Sequence, residues 1–362
     1  LDRIEVTRTL PEPFQPSQPP GRWDDQAVAL PAGLQFFNGT GGFTPDGRAY
    51  CMLIAPEGQG REAGTATAND GLLSQASGRY PSLPPAPWIN VIANPNLGFL
   101  VSETGAGFTW AGNSQTNRLT AWSNDPVIDP PSEVIYLRDE STDQCWCPTP
   151  LPIPSQEPTL VTHAFGFSVF QRNSHGLAHE LTLFVPTESP VKLLRLRLHN
   201  PGDQPRRLSA TYYAEWVLGA SRETTSTHLI TEIDPDTGAL IARNPFRQDY
   251  DDRLAFADVN LRPRTVTADR GEFLGRHGSL ASPAALSRVG LSGRAGTGFD
   301  PCAAIQATFS LDPGETKDVV FMMGEAESLD RVRALIDQFR DPGRLTRTME
   351  DVGRSWSTLL QT

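Results

Sequence analysis

From residue 208 to residue 216 every second side chain is apolar: Leu208, Ala210, Tyr212, Ala214 and Trp216 alternate with Ser209, Thr211, Tyr213 and Glu215. A two-residue period puts one set of side chains on one face of an extended chain, whereas neighbours on a helix face lie three or four residues apart. This stretch therefore reads as a half-buried strand, which needs a sheet around it and a second layer over its apolar face. A second run, 191–198 (Val-Lys-Leu-Leu-Arg-Leu-Arg-Leu), also alternates but shifts phase at Leu193-Leu194, as a β-bulge would require. Turn residues mark two hairpins. Asp234-Pro235-Asp236-Thr237-Gly238 lies between the runs 228–233 and 239–244, and Asp312-Pro313-Gly314 between 305–311 and 316–323. No long helical pattern separates the strands, so βαβ units are excluded and two antiparallel sheets packed face to face remain. The 31 Gly and 32 Pro suit many short strands joined by turns.

The texture changes at both ends. Residues 1–33, with Pro11, Pro13, Pro16, Pro19 and Pro20, show little periodicity and predict an extended strap that must lie on something else. Residues 34–324 are strand and turn. Residues 325–362 turn helical: Leu329, Val332, Leu335, Ile336 and Phe339 share a face behind a Ser328 N-cap, and Asp341-Pro342-Gly343 ends that run. A second stripe follows through Leu345, Met349, Val352, Trp356, Leu359 and Leu360. Such a stripe says only that something covers it, either the sandwich itself or a further element.

A net charge of −11 excludes an electrostatic nucleic-acid footprint, which needs clustered Lys and Arg. No run approaches 18 apolar residues, so no transmembrane segment is expected, and the Pro-rich beginning lacks the apolar core of a signal peptide. The first residue is not Met, which suggests a piece of a longer protein. Cys51, Cys145, Cys147 and Cys302 match no zinc spacing, and one residue between Cys145 and Cys147 is a poor span for a disulfide. A reducing, cytoplasmic location without metal or cofactor is the expectation.

Several short motifs follow one another in order: Phe37-Asn38-Gly39-Thr40-Gly41-Gly42-Phe43, Pro87-Trp88, Asn90-Val91-Ile92-Ala93-Asn94-Pro95 and Phe108-Thr109-Trp110. They continue through Asn117-Arg118-Leu119-Thr120, Trp122-Ser123-Asn124-Asp125-Pro126, Tyr136-Leu137-Arg138-Asp139 and Glu215-Trp216-Val217-Leu218-Gly219. In order and spacing they resemble the N-terminal β-sandwich of the inverting phosphorylases of glycoside hydrolase family ninety-four, and most closely the phosphorylase-like portion of cyclic β-1,2-glucan synthases. The resemblance implies an all-β, two-sheet antiparallel supersandwich, mutarotase-like, with a C-terminal pair of linker helices. In that family the linker leads into an (α/α)₆ barrel that carries the general acid and most of the phosphate pocket. This chain stops at Thr362, before any barrel, so the expectation is a non-catalytic accessory domain that shapes a β-glucan oligosaccharide site on the adjoining barrel. Three rivals remain: a free-standing carbohydrate-binding module, a structural domain that forms homodimers, and a mutarotase-like or lyase-like enzyme using His163 or His175.

Candidate substrate-binding residues are Trp88, Trp110, Trp122, Trp146, Thr162 and His163. The indole faces suit pyranose rings, although buried Trp also fills sandwich cores. His163 belongs to Thr162-His163-Ala164-Phe165-Gly166-Phe167-Ser168, which resembles a family segment that usually reads Arg-His-Gly-x-Gly-Tyr-Ser or Thr. That segment implies polar sugar contacts, but Thr162 stands where Arg is usual, removing a multi-donor fork, and Phe167 lacks a hydroxyl. Asp125, Asp129, Glu133, Asp139 and Glu140 read as turn caps and as partners of Arg118 or Arg138. Asn38-Gly39-Thr40-Gly41-Gly42 reads as a tight loop entering a strand, with neither the Lys-Ser/Thr nor the following helix of a phosphate cradle.

Overall fold

The computed structural model describes residues 9–56, 81–247 and 249–361. Residues 1–8 of the expected strap and 57–80 of the expected sandwich lie outside these. Among the described residues the strands form two sheets with antiparallel pairing. The first sheet runs in the order β1 (Gly41–Phe43), β2 (Ala49–Ile54), β9 (Thr159–Ala164), β10 (Phe167–Ser174), β11 (Leu177–Phe184), β12 (Val191–His199), β19 (Thr316–Ala326), β16 (Leu254–Val259), β15 (Leu240–Arg243) and β14 (Ile230–Ile233). The second runs β17 (Arg264–Asp269), β18 (Pro301–Leu311), β13 (Arg206–Gly219), β6 (Arg118–Thr120), β5 (Gly107–Ala111), β4 (Leu97–Ser102) and β3 (Ile89–Ala93). β7 (Glu133–Asp139) and β8 (Cys145–Trp146) branch off β13. The branch arises because β13 is long: Leu208 to Ala214 pair with β7, while Trp216 and Gly219 pair with β6.

The sandwich expected from alternation is thus present, and β13 lies at its centre. Leu208, Ala210, Tyr212, Ala214 and Trp216 all point into the core between the sheets, where they meet Leu194, Leu196, Leu198 and Phe321. Two local expectations need correction. The phase shift at Leu193-Leu194 is not a bulge, because β12 keeps unbroken register with both β11 and β19. The strand is apolar on both faces instead: Leu194, Leu196 and Leu198 face the other sheet, while Val191 and Leu193 face outward beneath helices. Nor does Asp312-Pro313-Gly314 close a hairpin. β18 and β19 lie in different sheets, so this turn is an arch over the rim of the sandwich, tied by the Gly314 N–H to the Asn200 carbonyl at 2.8 Å. The 234–238 turn does close a hairpin, with Ile233 opposite Leu240.

Among the described residues four α-helices complete the fold: α1 (Arg222–Thr225), α2 (Arg270–Leu274), α3 (Leu329–Arg340) and α4 (Pro342–Leu359). Ser328 caps α3 by accepting from the Arg331 N–H, and Asp341 caps α4 by accepting from the Gly343 N–H, with Pro342 in the first turn. Both helices cover the outer face of the first sheet. Val332, Leu335, Ile336, Phe339, Leu345 and Val352 are buried against Val191, Leu193, Phe256 and Met322, with Met349 and Trp356 packed at the margin. Removing each such side chain from water stabilises by about 1.5–3 kcal/mol, so the sandwich itself covers the stripe of α4 from Leu345 to Trp356, while Leu359 and Leu360 at its end are 63% and 49% exposed. On the other sheet, α2, through Phe273, and the segment 284–291 cover the β7–β13–β18 face over Tyr136 and Tyr213. The described part of the strap is pinned at Phe14 and Trp23: the Phe14 N–H donates to the Ser287 carbonyl at 2.8 Å, Arg138 lies over the Phe14 ring, and Arg206 lies over Trp23.

Candidate carbohydrate-associated site

The expected site residues fall into separate places. Trp88 and His163 meet at the margin where β3 of one sheet approaches β9 and β10 of the other. The His163 Nε2 lies 3.1 Å from the Trp88 carbonyl and the Nδ1 lies 2.9 Å from the Ser168 hydroxyl. A carbonyl only accepts, so Nε2 carries the proton and Nδ1 accepts from Ser168. Asn90 completes the arrangement by donating through its Nδ2 to Ser168 Oγ and to the Ala164 and Phe167 carbonyls at 3.1, 2.9 and 3.1 Å. Burial holds the imidazole down to about 4, so it is neutral near pH 7. The Trp88 N–H in turn donates to Glu103 at 2.7 Å, and burial pushes the Glu103 carboxyl up to about 7. Trp88 packs edge-on against Tyr50, which packs edge-on against Phe43.

Trp110 and Trp122 lie on a different surface. Across β3, β4 and β5 the register aligns Val91 with Leu100 and Phe108, and Ala93 with Gly98 and Trp110. All of these face outward, opposite to Ile92, Phe99 and Ala111, which belong to the core. Phe108 is flanked by Trp110 and Trp122 with ring centroids 5.3 and 5.0 Å away. Gly98 is required here, since a Cβ would lie 2.5 Å from the Trp110 ring. Ile89 and Val91 are about half exposed, and beyond Trp122 the tip residues Val127 and Ile128 are 90% and 69% exposed. That tip is rigidly held: Asp125 accepts from the Val127 and Ile128 N–H groups, and Asp129 accepts from the Ser102 and Thr104 hydroxyls at 2.6 and 2.8 Å. The result is a sheet face on which Leu100 and Phe108 are buried, Trp110 and Trp122 are half-buried, and Ile89 and Val91 are exposed along β3.

Thr162 and Trp146 join neither group. Thr162 sits on the outward side of β9 with its hydroxyl 3.6 Å from Cys51 Sγ. Trp146 is only 2% exposed, in the core between the sheets, stacked on His175 at 4.2 Å, and it presents no face to solvent. Of the acidic residues, Asp125 and Asp139 cap turns and Glu140 pairs with Arg138 at 2.8 Å. Arg118 instead donates to the Ser114 and Ala220 carbonyls. Glu133 is buried between the sheets and paired with Lys192 at 2.8 Å. Residues 38–40 form a loop entering β1, in which Asn38 accepts from the Thr40 and Gly41 N–H groups. Among the described residues no group of three or more His, Cys, Asp or Glu is arranged to hold a metal ion, and no helix is long and apolar enough to cross a membrane. Asn90, Ser168, Glu103 and Phe108 complete these arrangements without having been singled out for a site; the alternation of Asn90 with Ile89 and Val91 was the available signal.

Residues 79–342 match the family model for the glycosyl hydrolase 94 supersandwich domain. The chain belongs to this family. As a glycosyl hydrolase 94 supersandwich, it is 35% identical over 317 residues to the cyclic beta-(1,2)-glucan synthase NdvB of Rhizobium meliloti, a match covering 87% of this chain and 10% of that protein. To the N,N'-diacetylchitobiose phosphorylase of Vibrio furnissii it is 24% identical over 280 residues, covering 75% of this chain and 35% of the relative. The chain therefore spans between a tenth and about a third of the length of these relatives. Among solved structures, a bacterial glucoamylase complexed with acarbose covers 78% of this chain and 40% of its own, with 8% identity and a TM-score of 0.43.

Proposed function

We propose that this supersandwich is a non-catalytic part of an inverting glycoside phosphorylase or cyclic β-1,2-glucan synthase, shaping a glucan site on an adjoining barrel. Family membership and the longer relatives that carry the same domain support the setting. The observation that carries the role is the β3–β5 face. Ile89, Val91, Trp110, Trp122 and the Val127-Ile128 tip form an apolar surface of the kind that marks an interaction site. The polar groups near it are already engaged: both His163 nitrogens are bonded within the sandwich, which supports a scaffold and not a general acid or base.

The test is calorimetry of the chain with β-1,2- and β-1,4-linked glucose oligomers, paired with an assay for glucose 1-phosphate release. Part of a shared site offers few contacts against the cost of ordering a flexible ligand, so affinity should be weak, roughly millimolar, and no turnover is expected. Micromolar affinity abolished by Trp110→Ala or Trp122→Ala would convert the reading to a free-standing binding module. Phosphorolysis that survives repurification and disappears with a point substitution in this chain would overturn it.

A further inference from the structure

Far along the chain from the β3–β5 face, three arginines converge on a single backbone oxygen. Arg262 and Arg264 each donate through Nη2 to the Thr237 carbonyl, and Arg340 Nη2 reaches the same oxygen at 2.8 Å. They come from three places: the turn between β16 and β17, the start of β17, and the last residue of α3. A carbonyl oxygen has two lone pairs, so three guanidinium donors oversubscribe it. The nearest carboxylate is also spoken for. Asp258, fully buried, pairs with Arg264 and with Arg340, the latter at 2.8 Å. Among the described residues Arg262 makes no ion pair of its own. Asp234 and Asp236 lie on the same turn as Thr237, but both are paired with Arg333, at 2.6 and 2.7 Å, and Asp234 also accepts the Thr237 N–H and hydroxyl.

The inner cluster therefore gathers three cations around one anion. Arg264 forms its floor, with a side chain only 5% exposed, Arg340 is partly exposed, and Arg262 lies open at the rim. Burial, and after it the neighbouring Arg340, holds the Arg262 guanidinium below its ordinary value, as a cation short of an acceptor should behave. We propose that this cluster is an oxyanion site, taking a phosphate dianion or the phosphoryl group of a phosphate monoester between Arg262 and Arg340 with Arg264 beneath. The inner cluster carries two surplus positive charges, one of which remains once Asp234, Asp236 and Arg333 are counted, and the planar forks of arginine suit the spacing of phosphoryl oxygens. Occupancy would tie the end of α3 to the β14–β15 turn and the β16–β17 turn, so the ligand would also brace the helix pair on its sheet.

The experiment uses the whole chain in chloride at fixed ionic strength, titrated with inorganic phosphate, methyl phosphate or further chloride, and read by calorimetry and by melting temperature. We expect saturable one-to-one binding of phosphate, a melting temperature that rises with its concentration, and no such rise with chloride. In Arg262→Gln, an exposed position whose loss relieves repulsion, the melting temperature without phosphate should be equal or higher, while affinity falls by about tenfold or more. Binding of methyl phosphate would assign the site to a monoester, and its exclusion to free phosphate. The proposal is overturned if phosphate and chloride act alike, or if Arg262→Gln responds to phosphate as the unaltered chain does.

Discussion

His163 makes stability depend on pH in a way that can be isolated. Its imidazole is neutral in the fold, donating to the Trp88 carbonyl and accepting from Ser168, and burial lowers it from 6.5 to about 4. On acidification the unfolded chain binds its proton first. The contribution of His163 is therefore complete above the unfolded value near 6.5 and is lost as pH falls toward the folded value. The full shift corresponds to about 3 kcal/mol, of which about 2 kcal/mol is lost by roughly pH 5. His175 and His179, also lowered by burial, slope the same way, whereas Glu103, raised to about 7, slopes the opposite way between its folded and unfolded values. The difference between two proteins is thus the quantity to measure. His163→Asn keeps a donor but does not titrate, and it should cost about 1 kcal/mol near neutrality from the weakened network. Urea melts at steps from about pH 7 to pH 4.5 should show this deficit shrink and reverse, as the unaltered chain pays for protonation that the variant escapes. Parallel stability curves across that range would refute the assignment of a neutral, doubly bonded imidazole.

Two further outcomes follow from packing. Gly166 has φ +84°, and a Cβ there would lie 2.3 Å from Trp356 Nε1 and 2.8 Å from a Val352 methyl, so Gly166→Ala should destabilise by about 2–3 kcal/mol and speed hydrogen exchange across 344–361, where α4 loses its seat. Lys192→Met strands the Glu133 carboxylate between the sheets, where it now accepts from Lys192, Thr109, Thr120 and Tyr212; a loss of about 3–5 kcal/mol in denaturant melts is expected, with most of it recovered in the double variant Lys192→Met with Glu133→Gln.

The sandwich itself was legible because its central strand alternates apolar with polar side chains, but that strand is not half-buried as the alternation suggests: Ser209, Thr211 and Tyr213 on its outer face are each 1% exposed. The 191–198 strand misled because Val191 and Leu193 add apolar side chains on its outer face, and the helices that cover them are more than a hundred residues away in the chain. The 312–314 turn misled because Asp, Pro and Gly specify that a chain reverses, not whether it reverses within a sheet or between sheets. Composition likewise could not rank the tryptophans. Trp110 and Trp146 both precede small residues in strands, yet one lies on an outer face beside Gly98 and the other is enclosed beside His175. His163 was nameable from its segment, but its partner Trp88, and the Asn90 that holds Ser168, lie more than seventy residues earlier, so neither its tautomer nor its engagement had any local sign.

Coverage of the sandwich supports the proposed role more firmly than any single residue does. A two-sheet stack has two outer faces, and most of the apolar surface on both is closed by this chain: α3 and α4 lie over the first sheet, and α2 with 284–291 lies over the β7–β13–β18 part of the second. On the β3–β5 part Leu100 and Phe108 are buried, Phe108 between Trp110 and Trp122, whereas among the described residues Ile89 and Val91 of β3 stay half exposed although they are as apolar as the residues beneath the helices. A surface helix pair can be closed by neighbouring side chains, whereas half-exposed Ile89 and Val91 lie on a strand that, among the described residues, is terminal in its sheet, where backbone groups are open to pairing. Natural sheets usually blunt such a strand with Lys or Pro; β3 reads Ile-Asn-Val-Ile-Ala and carries neither. Asn90, its one polar residue, points inward to hold the margin closed, so nothing on the outward side discourages a partner. A terminal strand with Ile89 and Val91 half exposed, on a sandwich that covers most of its apolar outer surface with its own helices, fits a surface that is closed by another element when the domain is at work.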